Sequence, residues 1–364
     1  MSLVHGTVAP GYEKVREVFA AEAARPGDVA AQLAVYRHGR PVVDLYTHDG
    51  DALTAVFAVT MGAAHLVLAL LVQDGLVGVA RSVRHYWPQF TSDVTVRELL
   101  QHRAGLIGVD GGFGPREVAD DRIIAERLAK QRPYWTRGAG YGYHVLVIGA
   151  LAGEIVRRVT GRSLQQTYEQ RVRAPYGVDL YLGLPECLEP RYRPIRPAVV
   201  REPPPDPASL AGIALNRHAD PPTDLVAFAN SRTVRRLGQA SAGGVASARG
   251  VARLYAAALS GVDGIAPLLH PRTITEFGTA GGPARDLLTG ATGNRFGLGF
   301  EALTTIYPFL GPAALGHSGA AGSLGFADPR SGVAYGYTRD RFAPPGGAAE
   351  NDQLAAAVIQ AADG

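Results

Sequence analysis

Between Ala63 and Val77 the chain is apolar almost throughout, interrupted only by His65, Gln73, Asp74 and Gly75. A helix with apolar residues all round has no face to offer water, so the rest of the chain must cover it on every side. The run is shorter than the roughly 20 residues that span a bilayer, so it reads as a buried helix over about 58–75 rather than a membrane segment. The chain has 364 residues, enough to wrap such a helix as two domains or as one domain with an insertion.

Composition narrows the class. Charged residues make up 19% and apolar residues 46%, with a net charge of +3, as expected of a compact enzyme-sized protein. No basic stretch is dense or interleaved with stacking aromatics, which argues against a nucleic-acid partner. Only Lys14 and Lys130 are lysines; the other basic residues are arginines. One cysteine, Cys187, allows no internal disulfide and suits a reducing compartment. A passive role for it is favoured over that of a reactive thiol. The first ten residues lack the basic start and apolar core of a secretory signal, so the cytoplasm is the expected location, with no membrane partner.

Periodicity and punctuation place the other elements. Residues 10–24 have helical spacing and stop before Pro26. The β-rich runs Val29–Arg37 and Arg40–Thr47 meet at His38-Gly39, a hairpin signal. Thr95 is a plausible N-cap for a short helix to Gln101, and further helices are expected over 115–131, 143–160 (stopped by Gly161) and 247–260. Prolines at 203–207 and 221–222 mark an irregular stretch. Strands are expected at Phe296–Ala302, Ala314–His317, Ser323–Asp328 and Gly332–Arg339, before a last helix over 350–362. Strands at both ends with helices between imply an α/β fold. Its sheet domain would be built from 1–80 and 240–364, with a mainly helical domain, 81–239, inserted.

A series of short motifs runs along nearly the whole chain. They are Asp51 to Gly62 (Asp-Ala-Leu-Thr-Ala-Val-Phe-Ala-Val-Thr-Met-Gly), Val94-Thr-Val-Arg-Glu-Leu-Leu-Gln-His-Arg-Ala-Gly-Leu106, Tyr141-Gly-Tyr-His144, Ala242-Gly-Gly-Val-Ala-Ser-Ala-Arg249, Phe296-Gly-Leu-Gly-Phe300 and Gly316-His-Ser-Gly-Ala-Ala-Gly-Ser-Leu-Gly-Phe-Ala-Asp-Pro329. In this order and spacing the chain resembles the serine β-lactamase-like esterases, the penicillin-binding-protein-like family that includes family VIII esterases. The resemblance implies a β-lactamase/transpeptidase-like fold, an antiparallel sheet flanked by helices, and a Ser-x-x-Lys pair at the head of the buried helix. In that pair the lysine takes the serine's proton. Here the two positions hold Ala58 and Met61, and no Ser-x-x-Lys occurs anywhere in the chain.

The resemblance also implies which groups would remain. Tyr143 matches the family's second-motif tyrosine, and without a lysine ammonium beside it a phenol is a better proton donor than base. His317, with Ser318 and Gly319, matches the third motif, and an imidazole exchanges protons near neutrality. His317 is therefore the expected base, on a strand edge lining the pocket and facing Tyr143 across the Ala58 end of the helix. Backbone N–H groups of Ala58 and Ala320 would form an oxyanion hole that does not depend on the serine hydroxyl. Phe57, Met61, Trp135 and Tyr141 would wall it. His65, four residues beyond Met61, is either a displaced base or a core histidine, and the core reading is favoured. His102 and His144 read as structural. No metal-ligand spacing and no cofactor motif is present: the glycines of 316–325 lack the ending of a phosphate loop.

From these residues the expectation is a non-hydrolytic enzyme acting on a carbonyl-containing small molecule. It would use acid-base chemistry for an isomerisation, cyclisation or elimination in secondary-metabolite biosynthesis. The alternative is a catalytically inactive homologue that binds a small molecule. A hydrolase altered to trap its substrate would need only the serine change, so Met61 argues against it. Nothing in the sequence fixes the oligomeric state.

Overall fold

In the computed structural model, which describes every residue except 1–3, 26, 28, 200–202, 284, 294–295 and 344–347, the two ends of the chain share one sheet. Its first strands are β1 (Val4–Val8), β2 (Ala31–Arg37) and β3 (Arg40–Thr47). Next along the chain come β4 (Thr54–Ala55), β5 (Leu180–Tyr181) and β6 (Val245–Ala246), which form a separate small sheet. The last strands are β7 (Glu301–Ala302), β8 (Leu315–Ser318), β9 (Leu324–Asp328) and β10 (Val333–Arg339). The large sheet has seven strands in the order β1-β3-β2-β10-β9-β8-β7, antiparallel throughout. The β2–β3 hairpin turns at His38 and Gly39, with φ of 48° and 77°. Both central residues of a tight two-residue hairpin turn need positive φ, and these supply it.

Helices cover both faces. On one face, α1 (Glu13–Ala23) packs with the C-terminal helix Glu350–Asp363 over Leu33, Leu45, Phe326 and Tyr335. On the other, the helix Ala248–Leu259 lies across β2, β9 and β10. Beyond it lies α2 (Val59–Gln73), the apolar helix anticipated from sequence, with every residue from Val59 to Leu71 buried. Packed against α2 are β8, β9 and the helices Ile148–Thr160, Leu164–Tyr168, Ala248–Leu259 and Pro271–Gly278. Each fully buried leucine along it contributes about 1.5–3 kcal/mol of transfer free energy. Among the described residues no helix is long and apolar enough to cross a membrane.

Several boundaries move inward. The expected helix 115–131 is Asp121–Leu128, capped by the Asp120 side chain on the Arg122 N–H. The expected helix 143–160 begins at Ile148 and ends, as anticipated, on a left-handed Gly161. Thr95 forms a full capping box with Glu98. The expected strand Phe296–Ala302 shrinks to Glu301–Ala302, because Gly299 adopts a φ of 83° that an extended strand cannot hold. Pro26, expected to end the first helix, lies outside the described residues; the helix itself ends at Ala23.

Candidate active site

The head of α2 is reached through a strained residue. Phe57 has a φ of 47°, unfavourable for a side chain of its size, and its ring is buried edge-on against Phe342 at 5.4 Å. Such strain persists only where the surroundings impose it, and here it sets the direction in which the next residue enters the helix. Ala58 takes the N-cap position and has no side chain to satisfy the first-turn amides. A tight turn does so instead: the N–H groups of Val59, Thr60 and Met61 donate to the carbonyls of Val56, Phe57 and Ala58. Among the described residues no recorded hydrogen bond uses the Ala58 N–H, which stands at the positive end of the helix dipole.

The second amide of the expected pair comes from the turn after β8. Gly319 donates to the Ser323 carbonyl at 2.7 Å, and the Ser323 hydroxyl donates to the Val56 carbonyl at 2.9 Å, which ties this turn to the strand leading into α2. A Cβ on Gly319 would stand 2.2 Å from Ser323 Oγ and 2.4 Å from the Val56 oxygen, so only glycine permits the approach. Ala320 follows, exposed, and among the described residues its N–H also has no acceptor. Ala58 and Ala320 line one cavity of ≈ 230 Å³ with Phe57, Tyr143, Ser318 and Gly319. Leu146, Leu215, Leu225 and Ala242 supply apolar wall.

Tyr143 also lines this cavity. Its hydroxyl donates to Met61 Sδ at 3.2 Å, a weak acceptor, and its ring stacks on Phe296 at 5.3 Å. Met61 itself, expected as a wall, is fully buried and does not line the cavity.

Other expected members fall elsewhere. His317 does not line the cavity. Successive residues of a strand point to opposite faces, and with Ser318 turned to the cavity His317 points inward to complete burial. Its ring lies stacked beside Tyr143 at 6.1 Å, so the two sit side by side rather than facing across the substrate space. Trp135 and Tyr141 are also displaced: Trp135 packs against His144, and the Tyr141 hydroxyl donates to the Gly293 carbonyl at 2.7 Å. His65 is a core residue, packed edge-on against Phe300 at 5.9 Å. Burial pushes its pKa down to about 3, and the neighbouring His317 adds to the effect. It therefore stays neutral under ordinary conditions. His102 and His144 are likewise buried, and the His144 amide donates to His102 Nδ1 at 3.2 Å.

One lining residue escaped the sequence reading. Glu301, on β7, accepts the Ser318 N–H at 2.9 Å and the Ser318 hydroxyl at 2.8 Å, and its carboxylate opens on the same cavity as Ala58 and Tyr143. A carboxylate has about four acceptor positions, so these bonds leave capacity for a water or substrate hydroxyl. The only signal for it in sequence was an acidic residue directly after Gly-Leu-Gly-Phe, in a run that otherwise reads as core. Among the described residues no cluster of three or more His, Cys, Asp or Glu could hold a metal ion.

Comparisons with known proteins agree with this architecture. Residues 15–360 match the beta-lactamase family. The solved structure of EstA from Arthrobacter nitroguajacolicus Rue61a is 42% identical, with a TM-score of 0.92 and 98% of each chain covered. The solved structure of a family VIII carboxylesterase is 30% identical with a TM-score of 0.88, covering 99% of this chain and 100% of that one. The esterase/beta-lactamase LipL of Mycobacterium tuberculosis (strain ATCC 25618 / H37Rv) is 29% identical over 94% of this chain and 84% of its own length. These likenesses overturn the expectation of a non-hydrolytic biosynthetic enzyme, because the relatives are named as esterases and point to hydrolysis. By the span of the match and by the fold that presents these residues, the chain belongs to the beta-lactamase family of enzymes.

Proposed function

We propose that the chain is a carboxylic-ester hydrolase acting on small molecules, in which water rather than a side chain attacks the ester carbonyl. The observation that carries this reading is one cavity lined by a carboxylate residue, Glu301, and by two residues whose backbone amides have no acceptor among the described residues, Ala58 and Ala320. Ala58 and Met61 stand where the resemblance expects the serine and lysine, so no acyl-enzyme forms. In the proposed step Glu301 takes a proton from water as the new C–O bond forms at the carbonyl. The resulting alkoxide is held by the two N–H groups. Tyr143 donates a hydrogen bond to the departing oxygen, which receives the proton from Glu301 as its bond to carbon breaks. The products are the acid and the alcohol.

The reading also sets a scale. In serine hydrolases stripped of their catalytic side chains, binding and the oxyanion hole alone retain about 10³–10⁴-fold acceleration over water. That acceleration is the floor expected from the cavity and its amides here, and Glu301 adds to it. The single exposed Cys187 supports placing the protein in a reducing compartment, the cytoplasm. The test is hydrolysis of p-nitrophenyl butyrate by the purified chain and by Glu301→Gln, with intact-mass detection of any adduct. Loss of a positioned base lowers the rate by about 10²–10⁴-fold, leaving the acceleration that the cavity and its amides supply. Equal rates for the two proteins would refute the mechanism, and so would a covalent acyl adduct.

A further inference from the structure

The apolar wall of the cavity described above is shared with a second space. Leu215 and Leu225 line the cavity and also line this second space of ≈ 590 Å³, bounded by Pro197, Pro203–Pro205, Val226 and Phe342. Phe342 is the residue whose ring meets Phe57, so the two spaces adjoin across a common wall of the two leucines and an aromatic pair. Among the described residues, the charged side chains that line the second space are Arg217 and Asp224. Arg217 is turned to the Thr223 carbonyl at 2.9 Å. Ligand sites usually measure about 300–1,000 Å³. The space around Ala58 and Glu301 is smaller than that, whereas with the adjoining groove it falls within the range.

We infer that this groove takes the hydrocarbon chain of the ester, making the substrate class small esters with a medium-to-long unbranched apolar chain. The inference rests on the hydrolase reading for the chemistry at Glu301, but its own content is where the chain lies. The groove is walled mainly by proline, leucine and phenylalanine side chains; of its polar lining, Arg217 is turned to the Thr223 carbonyl and Asp224 caps the Ala227 N–H. Affinity there is hydrophobic and rises with each methylene removed from water. A polar or heavily branched alcohol or acyl group would forfeit that gain.

Calorimetric titration with straight-chain methyl ketones of 6, 8 and 10 carbons tests the placement without turnover, since each carries the carbonyl but no leaving group. Each added methylene should tighten binding about fourfold, so each pair of carbons gives at least about tenfold. Ala198→Trp and Ala227→Trp, on two walls of the groove and outside the Ala58 cavity, should abolish the gain while leaving hexan-2-one affinity unchanged. Both variants are first checked for an unchanged melting temperature, and one folded variant is sufficient. A flat dependence on chain length overturns the inference, as does an undiminished gain in the tryptophan variants or a failure to bind any of the ketones. Ester turnover that needs Glu301 but shows no chain-length gain would leave the hydrolase reading standing without this one. A chain-length gain without ester turnover would do the reverse.

Discussion

Ala58→Ser combined with Met61→Lys asks whether the head of α2 still has the geometry of a nucleophile site. Met61 is fully buried and its sulfur lies 3.2 Å from the Tyr143 hydroxyl. A lysine amine in its place would be desolvated beside a phenol, which lowers its pKa from the usual value of about 10.4 toward the range of a general base. The hydroxyl at position 58 would point into the cavity that Ala58 already lines. Removing a complete set of catalytic side chains from a serine hydrolase costs about 10⁶ in kcat. Restoring two members on a scaffold not selected for them should recover part of that, at least about 10²-fold over the unmodified chain. The buried amine should cost about 1–3 kcal/mol of stability if its hydrogen bonds are imperfect. The assay is pre-steady-state hydrolysis of p-nitrophenyl butyrate, where a burst and an acyl adduct by mass would appear only in the double variant. Ala58→Ser alone, without a base, should gain less than tenfold. A folded double variant with neither adduct nor acceleration would refute the placement of Ala58 at the attacking position.

Two further predictions concern stability. Gly299→Ala places a Cβ 2.4 Å from His65 Cγ at a φ of 83°, so backbone strain and overpacking together should lower unfolding free energy by about 2–5 kcal/mol in urea titrations; a loss below 1 kcal/mol would show that His65 is free to move. Unfolding free energy should also fall as pH drops from about 6.5 toward 4. Burial holds His65 at about 3 and His144 at about 4, with His102 well below its ordinary value, so these rings stay neutral in the fold but take up protons when unfolded. Asp121, pushed up to about 7 by burial, binds its proton in the folded state and offsets one histidine. Each net proton taken up on unfolding is worth about 1.4 kcal/mol per pH unit, and urea midpoints at pH 7, 6 and 5 that stay flat or rise would contradict the assignment.

Much of the frame was legible because local chemistry dictates it. His38-Gly39 can turn a hairpin, Thr95 with Glu98 can cap a helix, Gly161 can end one, and an apolar run like that of α2 has to be buried. The site was legible where short motifs define it, as at Phe57-Ala58, Tyr143 and Ser318-Gly319-Ala320. Which way a strand residue faces depends on register. His317 and Ser318 are adjacent in sequence, yet one is sealed in the core and the other opens on the cavity. Glu301 was missed for a related reason. Its role comes from pairing with Gly316 across β7 and β8, a contact fixed by the sheet and not by any local pattern. Trp135 and Tyr141 follow the same rule in reverse, since sequence proximity to Tyr143 did not bring them to the cavity.

The burial of α2 has a consequence for how the protein is made. Its covers include strands β8 and β9, and Leu324–Asp328 leaves the ribosome roughly 250 residues after Gln73. At about 5–20 residues per second that is a delay on the order of 10–50 s, during which the least polar segment of the chain is complete but cannot be enclosed. A stretch with no charge from Val59 to Leu71 is the kind that associates with its copies on neighbouring nascent chains. Yield of soluble protein should therefore depend on holdase capacity and growth temperature more than on the stability of the finished fold. A truncation that ends before β8 would leave the helix permanently uncovered and should be recovered only as aggregate.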